Sequence, residues 1–222
     1  QGEEIGPGGA GLARLATADL EPAIRRLNGI QLIVACDVTN ALLGPEGAAA
    51  VFGPQKGANE DDVRQLDANL AHFSRLVKAQ GLDIASFPGS GAAGGIGGTV
   101  KGILGARLQP GIELVMEAVK LEQHIRNADL VITAEGAIDA QSAFGKTPAG
   151  VSRLAHACGV PVIGLCGKLG AELAPLHSVG LTAAFSITPA PITLTEAYGL
   201  AEANLEKSSE QLARLTHSFS RR

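Results

Sequence analysis

The chain reads as an α/β protein with a parallel, helix-covered sheet, and three observations predict it. Short β-branched and aliphatic runs at 30–35, 130–133, 160–165 and 183–187 alternate with stretches of helical periodicity. Strands interleaved with helices through short connections pair in parallel. Glycine is abundant at 29 of 222 residues while aromatics make up only 3%, so the core is Leu, Val, Ile and Ala joined by tight turns. Hydrophobic residues make up 45%, enough to fill one large or two small domains.

Residues 1–20 are loop-like, and 19–27 predict a short helix with Pro22 in its first turn. The run 30–35 predicts a buried strand ending in Cys36-Asp37-Val38-Thr39-Asn40. Asp37 and Asn40 then stand at the C-terminal edge of that strand, where open α/β sheets bind ligands. After a turn-rich connection over 44–57, Asn59 caps an amphipathic helix. Asp61 and Asp62 complement its dipole, and Val63, Leu66, Leu70, Phe73 and Val77 recur at helical spacing. The glycine-rich stretch 88–98 has too little side chain for an independent packing element. Its Gly89, Gly91 and Gly94 fit a dinucleotide-binding pattern, but no strong strand leads in and no acidic residue stands about 20 positions later at the end of a second strand. Tight helix packing and close ligand approach both remain open.

From 111 onward the reading is helix 112–121, strand 130–133, helix 149–157, strand 160–165, strand 183–187 and a closing helix 193–216. Thr147 reads as the N-cap of the middle helix, with Pro148 at its first position and Gly159 closing it. Thr193 with Glu196 makes a capping box for the last. A division near 127 separates domains 1–127 and 128–222. The second supplies only about three strands against the usual five or six, an incomplete sheet.

The formal charge is −4 with no basic cluster, and the Arg221-Arg222 pair is too little, which excludes nucleic acid as a partner. Three cysteines, Cys36, Cys158 and Cys166, form neither a closed disulfide set nor a metal spacing, so a reducing cytoplasm is expected. No apolar run reaches the roughly 20 residues of a membrane span, and no signal peptide opens the chain. The opening at Gln1 in mid-pattern leads to the expectation of a fragment or processed chain. His72, His124, His156, His177 and His217 are scattered, mostly on helices, and read as structural or solvated.

Gly145-Lys146-Thr147 invites a P-loop reading, which fails because Ala140 stands where the first glycine must be. The strand 130–133 delivers Glu135 and Asp139 into the loop before Lys146 and a helix N-terminus. Two carboxylates, a lysine and a positive helix end are the parts of a metal-phosphate site. A solvated loop whose acids pair with Lys146 is the competing reading.

Four stretches in order, Val34 to Asn40, Phe52-Gly53-Pro54-Gln55-Lys56-Gly57-Ala58, Gly91-Ala92-Ala93-Gly94-Gly95 and Glu135-Gly136-x-x-Asp139-x-Gln141-x-x-x-Gly145-Lys146, resemble the signatures of bacterial glycerate kinases. The resemblance implies two α/β domains, one Rossmann-like and split in sequence, the other inserted, with an active site in the cleft between them. It implies ATP- and Mg²⁺-dependent phosphorylation of D-glycerate, giving 2-phosphoglycerate. Carried over by motif, Asp37, Asn40, Gln55, Lys56 and the glycines at 91–95 face the cleft from the inserted domain, and Glu135, Asp139 and Lys146 from the other. Asp37 is then the base for the attacking hydroxyl, with Lys56 and Lys146 on carboxylate or phosphate. Glu135 and Asp139 surround the metal, and Asn40, Gln55, Ser90, Gly91, Gly94 and Gly95 contact substrate.

Family members also carry an opening strand with an aspartate and a Gly-Gly-Ser-Ala-Thr-Asn-Asp-Gly-Gly segment. Neither is in these 222 residues, so the resemblance covers the C-terminal part of such a protein. The open sheet edge would be covered by that missing N-terminal segment, a companion chain, or a second copy in a homo-oligomer. A non-catalytic binding or assembly fragment is the alternative. A nicotinamide-dependent oxidoreductase rests only on the loose glycine pattern.

Overall fold

The computed structural model describes residues 2–143 and 146–219. The chain forms two compact units, Gln1–Gly111 and Ile112–Arg222.

In the first unit a 3-10 turn at Gly9–Arg14 is followed by α1 (Glu21–Arg26), β1 (Ile33–Ala35), α2 (Ala48–Phe52), a 3-10 turn at Pro54–Lys56, α3 (Glu60–Lys78), α4 (Ala92–Gly102) and β2 (Arg107–Gln109). Helix α3 follows its sequence closely. The Asn59 side chain accepts the Asp62 N–H and the Asp62 carboxylate accepts the Asn59 N–H, both at 3.0 Å. Val77 is fully buried with Leu42, Ile84 and Ile103, and Leu70 and Phe73 pack against them. Side chains of α3 also pin the opening segment: Asn69 donates to the Gly9 carbonyl, His72 meets the Leu15 carbonyl at 2.7 Å, and Gln80 donates to the Ala18 carbonyl.

Strand β1 pairs in parallel with β2 in register Ile33↔Arg107 to Ala35↔Gln109, a two-stranded sheet. The strand expected over 30–35 is shorter and is not buried, since Ile30 and Ile33 are exposed. The glycine-rich stretch becomes helix α4 and does pack. Side chains at Gly97, Gly98 and Gly102 would collide with the carbonyls of Gly89, Ile84 and Asp83, so there glycine serves close backbone contact.

The second unit contains most of α5 (Gly111–Ala118), then α6 (Leu121–Ile125), β3 (Val131–Ile138), a 3-10 turn at Ala140–Ala143, α7 (Thr147–Ala157), β4 (Val162–Leu169), α8 (Ala174–Ser178), β5 (Ala183–Ser186), α9 (Leu194–Gly199) and α10 (Ala201–Phe219). The units divide before the expected boundary at 127, and packing gives the reason. A side chain at Gly150 would meet Ile112 and Met116, and Ile125 is buried with Ile138, Val162 and Leu176. Helices α5 and α6 therefore share the core of the second unit. The single helix expected at 112–121 is broken by Lys120 in a left-handed conformation, φ 53°.

Three parallel strands in the order β3-β4-β5 form the sheet, the number expected. Strands β3 and β4 each run eight residues, longer than their apolar runs. Val131, Val162, Cys166 and Ala184 pack with Ala149 and Ala155 of α7 and Leu176 of α8. On the opposite side of the pleat Ile132 and Phe185 are 52% and 46% exposed. The Thr193–Glu196 capping box forms as expected, but the closing helix breaks at Leu200 into α9 and α10. No helix among the described residues is long and apolar enough to cross a membrane.

Candidate functional site

In the first unit the chemistry-bearing loop begins where β1 ends. The Cys36 N–H still donates to the Gln109 carbonyl, and Asp37 lies just beyond the last sheet bond, exposed to solvent. Its Oδ1 accepts the Gly111 N–H at 2.8 Å. Asn40 is half-buried; its side-chain amide donates to the Glu46 carbonyl at 3.2 Å and its own carbonyl accepts the Gly91 N–H at 2.9 Å.

This loop rests on the glycine-rich segment at van der Waals distance. A side chain at Gly89 would stand 3.2 Å from Cys36 Sγ and from the Val38 carbonyl oxygen. One at Gly91 would stand 2.0 Å from the Ala41 carbonyl oxygen, closer than atoms can approach. Loop 36–41 and segment 89–91 therefore form one packed body, and glycine lets the backbones meet. Ser90 between them is fully buried and turns its hydroxyl inward, to the Ala85 carbonyl at 3.2 Å.

Immediately after this contact the backbone does something costly. Ala93, Gly94 and Gly95 take left-handed conformations in succession, φ 50°, 73° and 102°, inside α4. For Ala93 that conformation costs about 1–2 kcal/mol. Strain of this sort gathers at ligand sites, and it is the observation from which a functional reading starts. Ala93 and Gly94 are exposed, whereas Gly95 is buried against Leu42 and Leu70.

Gln55 and Lys56 are exposed on their 3-10 turn, closed by Gly57 at φ 92°. Lys56 borders a depression of about 370 Å³ with Asp62, Gln65 and Leu66 of α3.

In the second unit Glu135 is part of β3, paired with Cys166 of β4, and not in a loop past a strand ending at 133. Burial explains the extension: Ile138, at the strand's end, is completely buried, so pairing continues to it. Asp139 follows directly. Its Oδ1 accepts the N–H groups of Gln141 at 3.0 Å and Ser142 at 3.2 Å, so one carboxylate oxygen builds the turn.

Lys146 occupies the N-cap of α7 with extended backbone, and its carbonyl accepts the Gly150 N–H. Thr147, expected as the cap, is the first helical residue, and among the described residues no side chain caps this helix. Gly145 lies outside the described residues.

Among the described residues no three of His, Cys, Asp and Glu gather as a closed metal centre would require. Mg²⁺ does not need one: it takes one or two carboxylates, substrate phosphates and waters. The oxygen-only donors of Glu135 and Asp139 fit that chemistry.

The sequence reading missed two features. Gly111 gives no signal, because the three-residue strand that delivers it has no sequence pattern of its own. The strain at Ala93 has no residue-type signature, since alanine, unlike glycine or asparagine, does not mark that conformation.

Two parallel sheets interleaved with helices, with Asp37 just past the end of β1, define a protein of the α/β class. Comparison with known proteins narrows this. The model of the glycerate kinase family matches residues 1–217. A glycerate kinase of Bacillus subtilis strain 168 is 45% identical over 213 residues, covering 96% of this chain and 56% of the relative. The glycerate 2-kinase of Escherichia coli K12 is 44% identical over 213 residues, with the same coverage. A crystal structure of a candidate glycerate kinase 2 from Salmonella typhimurium LT2 superposes with a TM-score of 0.84 at 40% identity, over 100% of this chain and 57% of that one. The chain belongs to the glycerate kinase family. It spans a little over half the length of the relatives it matches.

Proposed function

We propose that this chain carries residues of an ATP-dependent kinase that phosphorylates D-glycerate at its 2-hydroxyl, giving 2-phosphoglycerate, in the cytoplasm. The observation that carries the reading is the exposed Asp37 carboxylate, held through one oxygen on a loop packed against the strained glycine segment. Family membership supplies the substrate class, and the name glycerate 2-kinase of the E. coli relative supports the position of transfer.

In this reading Asp37 takes the proton of the attacking hydroxyl as its oxygen bonds the γ-phosphorus. The bond from that phosphorus to the bridging oxygen breaks, and ADP leaves. Asn40, Gln55, Ser90 and the glycines at 91, 94 and 95 shape the glycerate site, Ser90 and Gly95 from beneath. Lys56 and Lys146 neutralise carboxylate and phosphate charge. Glu135 and Asp139 would hold Mg²⁺, which when bound screens the phosphate oxygens.

The first unit corresponds in this proposal to the inserted domain and the second to part of the Rossmann-like one. The chain length that the relatives have beyond the matched part, or a second chain, would cover the exposed Ile132 and Phe185. Those side chains are also what a non-catalytic assembly role would use.

The test is D-glycerate-dependent ADP formation, measured on the chain alone and mixed with the unmatched portion of the B. subtilis relative, with ³¹P NMR of the product. Turnover to 2-phosphoglycerate that falls at least about a hundredfold, to a measurable residue, in Asp37→Asn and Lys146→Ala, with circular dichroism unchanged, is the expected result. Turnover near the parent level in both variants would overturn the site assignment, and 3-phosphoglycerate as product would overturn the position of transfer.

A further inference from the structure

The hydrogen bonding at Asp37 departs from what the sheet alone would produce. In the β1–β2 ladder Arg107 N–H donates to the Leu32 carbonyl and Cys36 N–H donates to the Gln109 carbonyl, both at 2.9 Å. A parallel ladder repeats evenly, every two residues on each strand. Stepping from Arg107 to Gly111 and from Leu32 to Cys36, regular pairing would give the Gly111 N–H to the Cys36 carbonyl. It goes instead to Asp37 Oδ1 at 2.8 Å. Pro110 has no N–H, so Gly111 is the first donor past the end of β2. As the first residue of α5 its N–H has no partner within the helix.

Nor does backbone conformation account for glycine at this position, since Gly111 is not among the residues with positive φ. What a side chain there would meet is the carboxylate. Its Cβ would lie 3.2 Å from Asp37 Oδ2, 3.6 Å from Oδ1 and 3.8 Å from the Ala35 Cβ.

We infer that Gly111 is the positioning residue of Asp37: its N–H fixes Oδ1, and its missing side chain keeps the space beside Oδ2 open for the hydroxyl of an alcohol substrate. The functional half of this inference rests on Asp37 acting as the base proposed above; the hydrogen bond does not.

Two measurements test it on the whole chain. Amide hydrogen exchange at Gly111, followed by NMR, is expected to be slowed in the parent and to lose that protection in Asp37→Ala. Unchanged protection overturns the link between the two residues. For function, Gly111→Ala keeps the N–H and adds only the Cβ. It is expected to lower kcat about tenfold with the D-glycerate KM within about twofold, since small misplacements of a reacting group cost rate more than binding. In an Asp37→Asn background the same change is expected to cause no further loss. An equal loss in both backgrounds would overturn the inference, because Gly111 would then be acting through something other than the carboxylate. No glycerate-dependent turnover by the parent, either alone or mixed with the unmatched portion of the B. subtilis relative, would sink the proposed reaction, while the exchange experiment would still decide the Gly111–Asp37 link.

Discussion

Replacing Gly91 with alanine isolates the close approach on which the Asn40 loop depends. The new Cβ would lie 2.0 Å from the Ala41 carbonyl oxygen, 2.9 Å from its carbon and 3.1 Å from the Asn40 oxygen. All three obstacles are backbone, so no side-chain rotation relieves them, and the loop must move by about 1 Å to restore van der Waals contact. Gly91 itself has φ −82° and ψ −7°, where alanine is at ease, so the whole penalty is steric. Overpacking of this kind costs about 1–3 kcal/mol, and the Gly91 N–H bond to Asn40 is strained as well. Gly94→Ala is the control. It meets nothing within 4 Å but sits at φ 73°, so its cost is conformational only, about 1 kcal/mol. Urea unfolding followed by circular dichroism gives both values, the chain having no Trp and one Tyr to report by fluorescence. Gly91→Ala should unfold at lower urea than Gly94→Ala and should lower the chain's affinity for D-glycerate. A Gly91→Ala midpoint equal to that of the parent would refute the packing argument.

Other outcomes rest on local geometry. Asn59→Ala removes one arm of the α3 capping box and should cost about 1 kcal/mol in urea unfolding, with no change in D-glycerate affinity. The Ser86 hydroxyl and the Ala85 amide hold the Asp83 carboxyl below its usual range. A folded-state pKa below the unfolded value stabilises above the ordinary carboxylate range, and that stability is lost as pH falls through the folded value. Ser86→Ala should therefore be less stable than the parent at neutral pH, and the two unfolding curves should converge as the pH drops below 3.8.

The elements that were legible in the sequence are those whose cause is local. Asn59 with Asp62 and Thr193 with Glu196 place helix starts because both partners lie within one turn. The apolar spacing of α3 predicts its buried face because Val77, Leu70 and Phe73 recur at the helix's own period. Strand β2 was not legible. Arg107, Leu108 and Gln109 have no pattern of their own, and their pairing partner lies more than seventy positions earlier. The ends of β3 and β4 are not legible for a related reason: their length is set by burial of Ile138 and by pairing across strands, neither of which a window of the sequence contains.

The candidate site divides along the same line. The residue types and their order, Asp37 through Asn40, Gln55-Lys56, the glycines, Glu135, Asp139 and Lys146, were set by the sequence and sufficed to indicate the family. Which atoms are free to act was decided by the tertiary structure. Ser90 turned its hydroxyl inward, and Asp139 committed one oxygen to its own turn. Asp37 received its partner from Gly111, across the sheet. A side chain's identity is written in the sequence, but whether its lone pairs are already occupied depends on what the fold brings to within 3 Å, often from far along the chain.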